Sequence, residues 1–320
     1  MRPILSLMLV AGALFASPAV WAQQFPNKPL KFVVPYPPGG GTDAVGRVLS
    51  VKLSASLGQQ VVVENRPGAG GNIGVHFIAS SAADGYTMGL TDTGTIAIAP
   101  WTTKDLPYHP LRDFTHLAMA SSQPYLVVAH PSVQVNNLKE LVALAKAKPG
   151  NLSFASTSQG NELAGELFKM MTDTNILHVP YKGGGQAIND LLGGQVNLMF
   201  ASAASSSAHV SAGKLRALAV TSSARVDSLP NVPTAREAGY ADLVISSWYG
   251  VAVPAKTPQD IAARLTTQIV DALKQPDVVQ QLNKIGLISG GSSADDFGTF
   301  VRAEYERWGN VVKNSGKGGK

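Results

Sequence analysis

Two segments of the chain share an apolar run followed by proline and tyrosine. In both segments three glycines follow the tyrosine after one or two other residues. Residues 33–43 read VVPYPPGGGTD, and residues 178–185 read HVPYKGGG. In open parallel sheets, ligands bind beyond the carboxyl ends of the strands, which is where both glycine runs are expected. Glycines let the backbone approach a ligand and direct N–H groups at it, and a helix N-terminus adds partial positive charge. The two segments therefore predict binding of an anion.

Polar side chains accompany the first glycine run. Thr42 can donate a hydroxyl hydrogen bond, and Tyr36 can stack on a ligand or pack in the core. Asp43 is expected to be the helix N-cap, accepting backbone N–H bonds, rather than a ligand contact. In the second run, Lys182 can pair with a carboxylate, although a solvated lysine is the simpler interpretation. Hydroxyls, glycines and amides also fill the predicted strand ends at 91–95 (TDTGT) and 156–161 (STSQGN).

The catalytic alternatives have weaker support. Residues 39–44 match a dinucleotide-binding pattern, with Glu64 near the expected ribose-binding position, but this pattern is common. Ser211 and Lys214 match S-x-x-K, yet neither partner motif of that hydrolase class occurs. The six histidines show no metal-like spacing, and there are no cysteines to supply thiolates. We therefore expect no enzyme, no cofactor and no metal site.

The N-terminus predicts export. Arg2 precedes an apolar stretch over 4–15, and Val20-Trp21-Ala22 offers a cleavage site before Gln23. We interpret residues 1–22 as a signal peptide cleaved near Ala22–Gln23, the alternative being a buried first helix. No later run reaches the ~18 apolar residues of a membrane span. The absence of a cysteine also excludes a lipid-anchored N-terminal cysteine, so we expect a freely diffusing periplasmic protein. The net charge of +5 is scattered and indicates no nucleic-acid surface.

Short β-branched runs alternate with amphipathic segments, a pattern typical of α/β proteins with largely parallel sheets flanked by helices. Strands are predicted at 30–35, 61–64, 86–91, 126–129, 152–155, 176–180, 196–200 and 215–221. Helices are predicted at 42–57, 73–82, 138–148, 160–171, 186–192, 258–274 and 293–313, before a disordered tail. We expect two lobes, with 23–122 plus 246–320 in lobe I and 123–245 in lobe II. The chain would cross between them near Gln123 and Ser246, and the cleft between the lobes would hold the ligand.

Longer motifs resemble one family in order along nearly the whole mature chain. They include KFVVPYPPGGGTDAVGR (31–47), VVVENRPGAGGNIG (61–74), DLLGGQVNLMF (190–200) and LPNVPTAREAGY (229–240). The resemblance is to the periplasmic receptors of tripartite tricarboxylate transporters, the Bug-type solute-binding proteins. It implies a two-lobed Venus-flytrap periplasmic binding protein that captures a small organic mono- or dicarboxylate, aromatic acids included. Such a receptor would deliver its ligand to membrane permease subunits, would be a monomer and would bind no nucleic acid. A ligand-sensing module for a signalling partner is the alternative.

The resemblance also implies a set of ligand contacts. Those in lobe I would be Tyr36, Pro38, Gly39, Gly40, Thr42, Asp43, Thr93, Gly94 and Thr95, and those in lobe II Ser156, Thr157, Ser158, Tyr181, Ala201 and Ser202. Many relatives carry an acidic residue where this chain has Ala201, and a histidine where it has Glu162. We expect the missing acid to disfavour amino groups on the ligand. Trp101, Trp248 and Tyr249 are expected either to stack on an aromatic acid or to pack in the core or hinge.

Overall fold

A computed structural model describes residues 25–315 of the chain, except 158, 182–183, 223 and 227–228. The predicted signal peptide and the tail beyond Ser315 lie outside this part of the chain, as do Ser158 and Lys182. None of the helices in the described part is long and apolar enough to cross a membrane.

The first part of the chain forms parallel strands connected by helices. Strands β1 (Leu30–Val34), β2 (Val61–Asn65) and β3 (Thr87–Asp92) pair in parallel, with β1 between the other two. Helix α1 (Gly41–Leu57) follows β1, and α2 (Asn72–Ser80) follows β2 after a short 3-10 turn at Ala69–Gly71. A π-helical segment (Thr93–Ile98) and the short α3 (Ala99–Thr102) continue directly from β3. These positions agree with the strand–helix alternation predicted from the sequence.

Strand β4 (Phe114–Ala129) is much longer than the predicted strand at 126–129. Residues 114–124 belong to the first sheet, and residues 125–129 pair with strands of the second. The first part of β4 was missed because Ser121, Ser122, Gln123 and Pro124 interrupt the β-branched pattern. This strand therefore connects the two halves of the molecule.

The middle of the chain builds the second sheet. After β4 come α4 (Leu138–Ala147), β5 (Ser153–Ser156), α5 (Gln159–Thr172), β6 (Leu177–Pro180), α6 (Gly184–Leu192), β7 (Leu198–Ser202), α7 (Ala203–Ser211) and β8 (Arg216–Val220). Strand β5 pairs in parallel with β6 and β7, whereas β7 and β8 pair antiparallel with β4. Helix α7 was not predicted, because its run of alanines and serines has no apolar stripe.

The C-terminal part returns to the first sheet. Strand β9 (Ser246–Pro254) lies antiparallel between β3 and β4 and was not predicted as a strand. It is followed by α8 (Gln259–Leu273), α9 (Pro276–Lys284), β10 (Ile288–Ser289) and α10 (Ala294–Asn314). The continuous strand order is β2-β1-β3-β9-β4-β7-β5-β6, with β8 and β10 also paired to β4. The outer pairs are thus parallel and the pairs formed by the long central strands are antiparallel.

Helices cover both faces of each sheet. In β1, Phe32 packs with α1 and α8 on one face, whereas Val33 packs with α2 and α10 on the other. In the second sheet, α6 and α7 pack on the face of Ala155, and α4 and α5 pack on the face of Phe154. This layered packing leaves the carboxyl ends of the parallel strands, and the helix N-termini that follow them, free to form a site.

Candidate functional site

A cleft of about 550 Å³ lies where the two sheets meet. Its walls come from strand ends and helix starts in both halves of the chain. The lining residues are Tyr36, Thr42, Gly70, Asp92, Thr93, Gly94, Gln123, Tyr125, Thr157, Gly160, Asn161, Gly184, Met199, Ser202, Ser205, Ser247 and Tyr249. A volume of this size is typical of a site for a small molecule.

Within the described residues, five helical segments begin at this cleft. Thr42 lies in the first turn of α1, and Thr93 begins the π-helical segment. Gly160 lies in the first turn of α5, Gly184 begins α6, and Ser202 caps α7. Each helix start presents backbone N–H groups and partial positive charge. No lysine, arginine or histidine is among these described lining residues, so the donors that they offer are backbone N–H groups and neutral side chains.

Asp92 supplies a carboxyl group to the cleft at the end of β3. It is 4% exposed and accepts hydrogen bonds from the Thr95 backbone N–H (2.8 Å) and hydroxyl (3.1 Å). The Gly94 N–H and the Tyr36 hydroxyl also lie beside it and favour its charged form. Together with the Thr95 side chain it forms a capping box that starts the π-helical segment. Burial raises the pKa of Asp92, despite these hydrogen bonds.

Tyrosines form much of the rest of the cleft floor. The Tyr36 hydroxyl lies 3.2 Å from the Gly70 carbonyl oxygen in addition to facing Asp92. Tyr249 lies beside the Thr42 hydroxyl, and Tyr125 lies beside Ser247. Burial is the main cause that raises the pKa of all three tyrosines, so they are neutral hydrogen-bonding groups near neutral pH.

Six of the residues expected to contact a ligand line this cleft: Tyr36, Thr42, Thr93, Gly94, Thr157 and Ser202. Asp92, Gly160, Asn161 and Gly184 also line it, and they stand inside the glycine- and hydroxyl-rich segments that the sequence had indicated. The remaining lining residues come largely from the central strands. Gln123, Tyr125 and Ser247 could not be found from local patterns, because the full lengths of β4 and β9 were not predicted, whereas Tyr249 had been left open between ligand contact and packing.

Three residues of the first glycine run lie outside the lining set. Pro38, Gly39 and Gly40 are exposed on the loop before α1, and a side chain added at Gly39 or Gly40 would meet no atom within 4 Å. The loop itself therefore does not form the cleft wall, and Thr42, one residue into α1, does so in its place.

Asp43 is not the helix N-cap that was predicted. Gly40 occupies the N-cap position, and Asp43 is the third residue of α1, buried beneath the loop. Its carboxylate accepts hydrogen bonds from Gly39 N–H (3.0 Å), Arg47 Nε (2.8 Å) and Asn65 Nδ2 (2.9 Å). Burial alone would raise the pKa of Asp43, but these donors lower it to about 2. Its role is to fix the loop and α1, because its oxygens are already occupied.

Four other predicted contacts also lie outside the lining set. Thr95 and Ala201 are fully buried, Thr95 because its hydroxyl completes the capping box. Tyr181 donates its hydroxyl to Asp190 Oδ2 at 2.9 Å, within the second half. Ser156 is 3% exposed, and its hydroxyl lies 2.6 Å from His178 Nε2, so this side chain is engaged with the histidine in the interior of the second half. Ser158 lies outside the described residues.

The described residues contain no complete catalytic site of the kinds that the sequence had left as alternatives. Ser156, His178 and Glu162 do form a chain, with Glu162 Oε1 3.7 Å from His178 Nδ1, but the serine is too buried to reach a substrate. Ser211 and Lys214 are exposed at the end of α7, away from the cleft lining. Glu64 accepts a hydrogen bond from Arg66 at 2.7 Å, so it is not free to bind a ribose.

The aromatic residues that were left open now have defined surroundings. Trp248 is fully buried against Phe297 and Phe300, and Trp101 packs on Tyr305. Tyr249 lines the cleft. Within the part of the chain that the structure describes, no cluster of three or more histidine, aspartate or glutamate side chains could hold a metal ion.

Two sheets joined by crossing strands around a cleft of helix N-termini define a solute-binding receptor of the periplasmic binding protein fold. A family model described as "Tripartite tricarboxylate transporter family receptor" matches residues 45–317. The chain belongs to this family. The resemblance inferred from the motifs and the predicted fold class are therefore confirmed. The family comprises receptors, in agreement with the expectation that the chain is not an enzyme.

Relatives are similar along nearly their whole length. Protein BugT of Bordetella pertussis is 38% identical over 312 residues, covering 97% of this chain and 95% of BugT. The structure of R. palustris Rpa4515 with adipate has a TM-score of 0.74 at 34% identity, covering 91% of this chain and 98% of that one. MatC (Rpa3494) from Rhodopseudomonas palustris with bound malate has a TM-score of 0.71 at 31% identity, covering 90% and 100%.

Proposed function

We propose that this chain is an exported receptor that captures a small organic carboxylate in its cleft and delivers it to a tripartite tricarboxylate-type membrane transporter. The predicted signal peptide at 1–22 and the family's description support a periplasmic location and a permease partner. We propose that it acts as a monomer.

The observation that carries the proposal is the set of helix starts around a cleft whose described lining residues include no basic side chain. Backbone N–H groups and hydroxyls bind a carboxylate without the strong desolvation cost of a buried lysine or arginine. Release to a downstream partner would then break no ion pair with the described lining residues. The adipate and malate bound by two relatives are small dicarboxylates, which agrees with this chemistry.

The cleft's dimensions favour a short dicarboxylate. Helix starts lie on both sides, so the two carboxylates of one ligand can each meet backbone donors. Met199 and the faces of Tyr125 and Tyr249 offer apolar surface for the carbon chain between them. Ala201 is buried and provides no acid at its position, and the Asp92 carboxyl that does line the cleft already accepts two hydrogen bonds from Thr95, so we expect dicarboxylates to bind more tightly than amino acids.

Closure of two lobes around the ligand completes the proposed mechanism. We propose that residues 23–122 and 246–320 form lobe I, and residues 123–245 form lobe II. The connections are β4 at Gln123–Tyr125 and the segment around Ile245–Ser246, where the strands leave one sheet for the other. Ligand contacts made from both lobes favour the closed state over the open one.

A thermal-shift panel tests the ligand class. Adipate, malate, citrate, phthalate, hydroxybenzoate, glutamate and nicotinate would each be added to the purified mature protein. A ligand at 100 times its dissociation constant stabilises the folded state by about 2.7 kcal/mol, which is readily measured. We expect the largest shift with a dicarboxylate. The proposed ligand class is wrong if none of the carboxylates shifts the transition.

A variant at a helix start tests whether the cleft is the site. Thr42→Val removes a hydroxyl from the first turn of α1 and preserves the side chain's shape. Because hydrogen bonds to charged groups contribute about 1.5–3 kcal/mol, we expect adipate to bind at least about tenfold more weakly. Thr115→Val is the matched control, since its hydroxyl bonds Ala255 O on the outer part of the first sheet. Equal affinity of the two variants by calorimetry would remove Thr42 from the site.

A further inference from the structure

Asp92 places a carboxyl group in a cleft that we propose binds an anion. Its carboxyl group lines the cleft and is 4% exposed, yet the described lining residues include no cation that could balance it. The titratable groups that face it are tyrosines: Tyr36 at the end of β1, Tyr108 after α3, Tyr125 on β4 and Tyr249 on β9. These hydroxyls are neutral near neutral pH and cannot neutralise a carboxylate. An anionic ligand and an ionised Asp92 would therefore repel each other.

The distance between the anion and Asp92 inside the cleft is too short to remove most of this repulsion. A cavity of about 550 Å³ is roughly 10 Å across, so an anion in most of it lies within the Debye length of about 8 Å from Asp92 at physiological ionic strength. The partly buried surroundings screen the interaction less than bulk water does. A positive group on the ligand, or loss of the charge on Asp92, would remove this repulsion.

The hydrogen bonds around Asp92 do not favour a positive group on the ligand. Its Oδ1 already accepts from the Thr95 N–H and the Thr95 hydroxyl, and the Gly94 N–H and the Tyr36 hydroxyl lie beside the carboxyl group. An ammonium group of a ligand would therefore have to compete with these donors for the carboxylate.

The geometry at Tyr36 fits a protonated Asp92. The single Tyr36 hydroxyl proton faces two acceptors, the Asp92 carboxylate and the Gly70 carbonyl oxygen at 3.2 Å. With Asp92 ionised, that proton can serve only one of them. With Asp92 protonated, its own O–H donates to the Tyr36 oxygen, and Tyr36 donates to Gly70. Both hydrogen bonds are then made, while the other Asp92 oxygen still accepts from Thr95.

We propose that Asp92 is a proton-binding site in the floor of the cleft, and that the receptor takes up its anion together with a proton. The proton comes from solvent and is held in the chain from Asp92 through Tyr36 to the Gly70 carbonyl. The inference rests on the proposed function, because the repulsion arises from an anionic ligand. The burial that raises the pKa of Asp92 in the free protein acts in the same direction.

The expected pH dependence follows from linkage. The bound anion raises the pKa of Asp92 further above its value in the free protein. Below the lower of these two pKa values affinity does not change with pH, because Asp92 is protonated in both states. Between them affinity falls by up to about tenfold per pH unit as pH rises, and above both it is constant again.

Calorimetry with adipate measures the coupled proton directly. Titrations from about pH 7 to about pH 9, in pairs of buffers with different ionisation enthalpies, give the number of protons taken up; ordinary carboxylic acids are ionised throughout this range. We expect a measurable fraction of one proton in at least part of the range. Binding of adipate with no proton uptake at any pH would overturn the proposal and leave the proposed function intact. Failure of every carboxylate in the thermal-shift panel to bind would contradict the proposed function, and this proposal with it.

Two variants test whether the proton taken up with adipate binds at Asp92. Asp92→Asn resembles the protonated acid, since its oxygen accepts from Thr95 and its amide donates to Tyr36. We expect it to bind adipate without proton uptake and with an affinity that does not vary with pH. Asp113→Asn is the control; Asp113 pairs with Arg112 outside the cleft lining, so wild-type uptake is expected. Wild-type uptake by Asp92→Asn would overturn the proposal.

A measurement on the wild-type protein avoids any folding defect of the variant. Carbon-13 spectra of the aspartate carboxyl groups would be recorded against pH with and without saturating adipate. We expect one aspartate whose titration moves to higher pH when adipate binds. The absence of such an aspartate would also overturn the proposal.

Discussion

Tyr36 and Tyr181 occupy equivalent positions in the two proline–tyrosine–glycine segments, yet their hydroxyls have different partners. Tyr36 faces Asp92 and the Gly70 carbonyl in the cleft. Tyr181 donates to Asp190 in α6, and neither residue belongs to the cleft lining. The repeated motif therefore places a strand end before a helix start in both halves, but it does not give the two tyrosines the same role.

Tyr181→Phe should separate these roles. The hydrogen bond to Asp190 is lost, and because the pair is partly exposed we expect the free energy of unfolding to fall by only about 1 kcal/mol. Adipate affinity should be unchanged, since the hydroxyl is already engaged within the second half. Tyr36→Phe is the matched comparison and should weaken adipate binding. A loss of affinity in Tyr181→Phe, measured by calorimetry, would return Tyr181 to the site.

At the scale of elements, the sequence predicted segments whose signals are local. The outer strands and most helices were predicted because each buries one face against a neighbour close in sequence. Strand β9 and the first part of β4 were not, because their pairing partners lie more than 100 residues apart, as in Ser122 with Trp248. The residues of the cleft also divide into those with a local signal in the sequence and those without one. Glycines and hydroxyls at strand ends were recognisable, whereas Gln123 and Ser247 enter the cleft only through that distant pairing.

Strand β9 also links the residues of the cleft to helix α10 on the opposite face of the sheet. Its side chains alternate, so Ser247 and Tyr249 line the cleft while Trp248 points to the opposite face, towards α10. There Glu304 Oε2 accepts from the indole N–H groups of both Trp248 (3.2 Å) and Trp308 (2.9 Å). This buried carboxylate connects the strand that carries cleft residues to the C-terminal helix.

Glu304→Gln should weaken that connection. One amide oxygen must replace a carboxylate that serves two indoles and the Arg307 guanidinium (3.2 Å), and the new NH2 group faces donors. We expect the free energy of unfolding to fall by about 2 kcal/mol or more, measured by urea denaturation. Glu306→Gln, an exposed neighbour on the same helix, should change stability by less than about 0.5 kcal/mol. Equal effects of the two substitutions would show that the buried pairing contributes little.

At the scale of the whole molecule, the two sheets are joined where the chain crosses between them. The Thr221 hydroxyl is buried there and contacts the backbone of both crossing segments, at Tyr125 and at Ile245. The crossings are thus fixed to each other, while the cleft walls in front of them belong to different sheets. Crossings of this kind are where the proposed hinge closure around a ligand would take place.

Distances between spin labels should report this closure. The chain has no cysteine, so two introduced cysteines are the only labelling sites. Val51→Cys lies on an exposed part of α1 (68% exposed), and Gly185→Cys lies in α6, where a side chain would meet no atom within 4 Å. We expect saturating adipate to shorten this distance, because contacts to both walls stabilise the closed state. The pair Val51→Cys and Val62→Cys, both in the first half, should keep its distance and controls for local changes. If calorimetry shows that adipate binds the labelled protein while the first distance stays constant, ligand binding does not close the cleft.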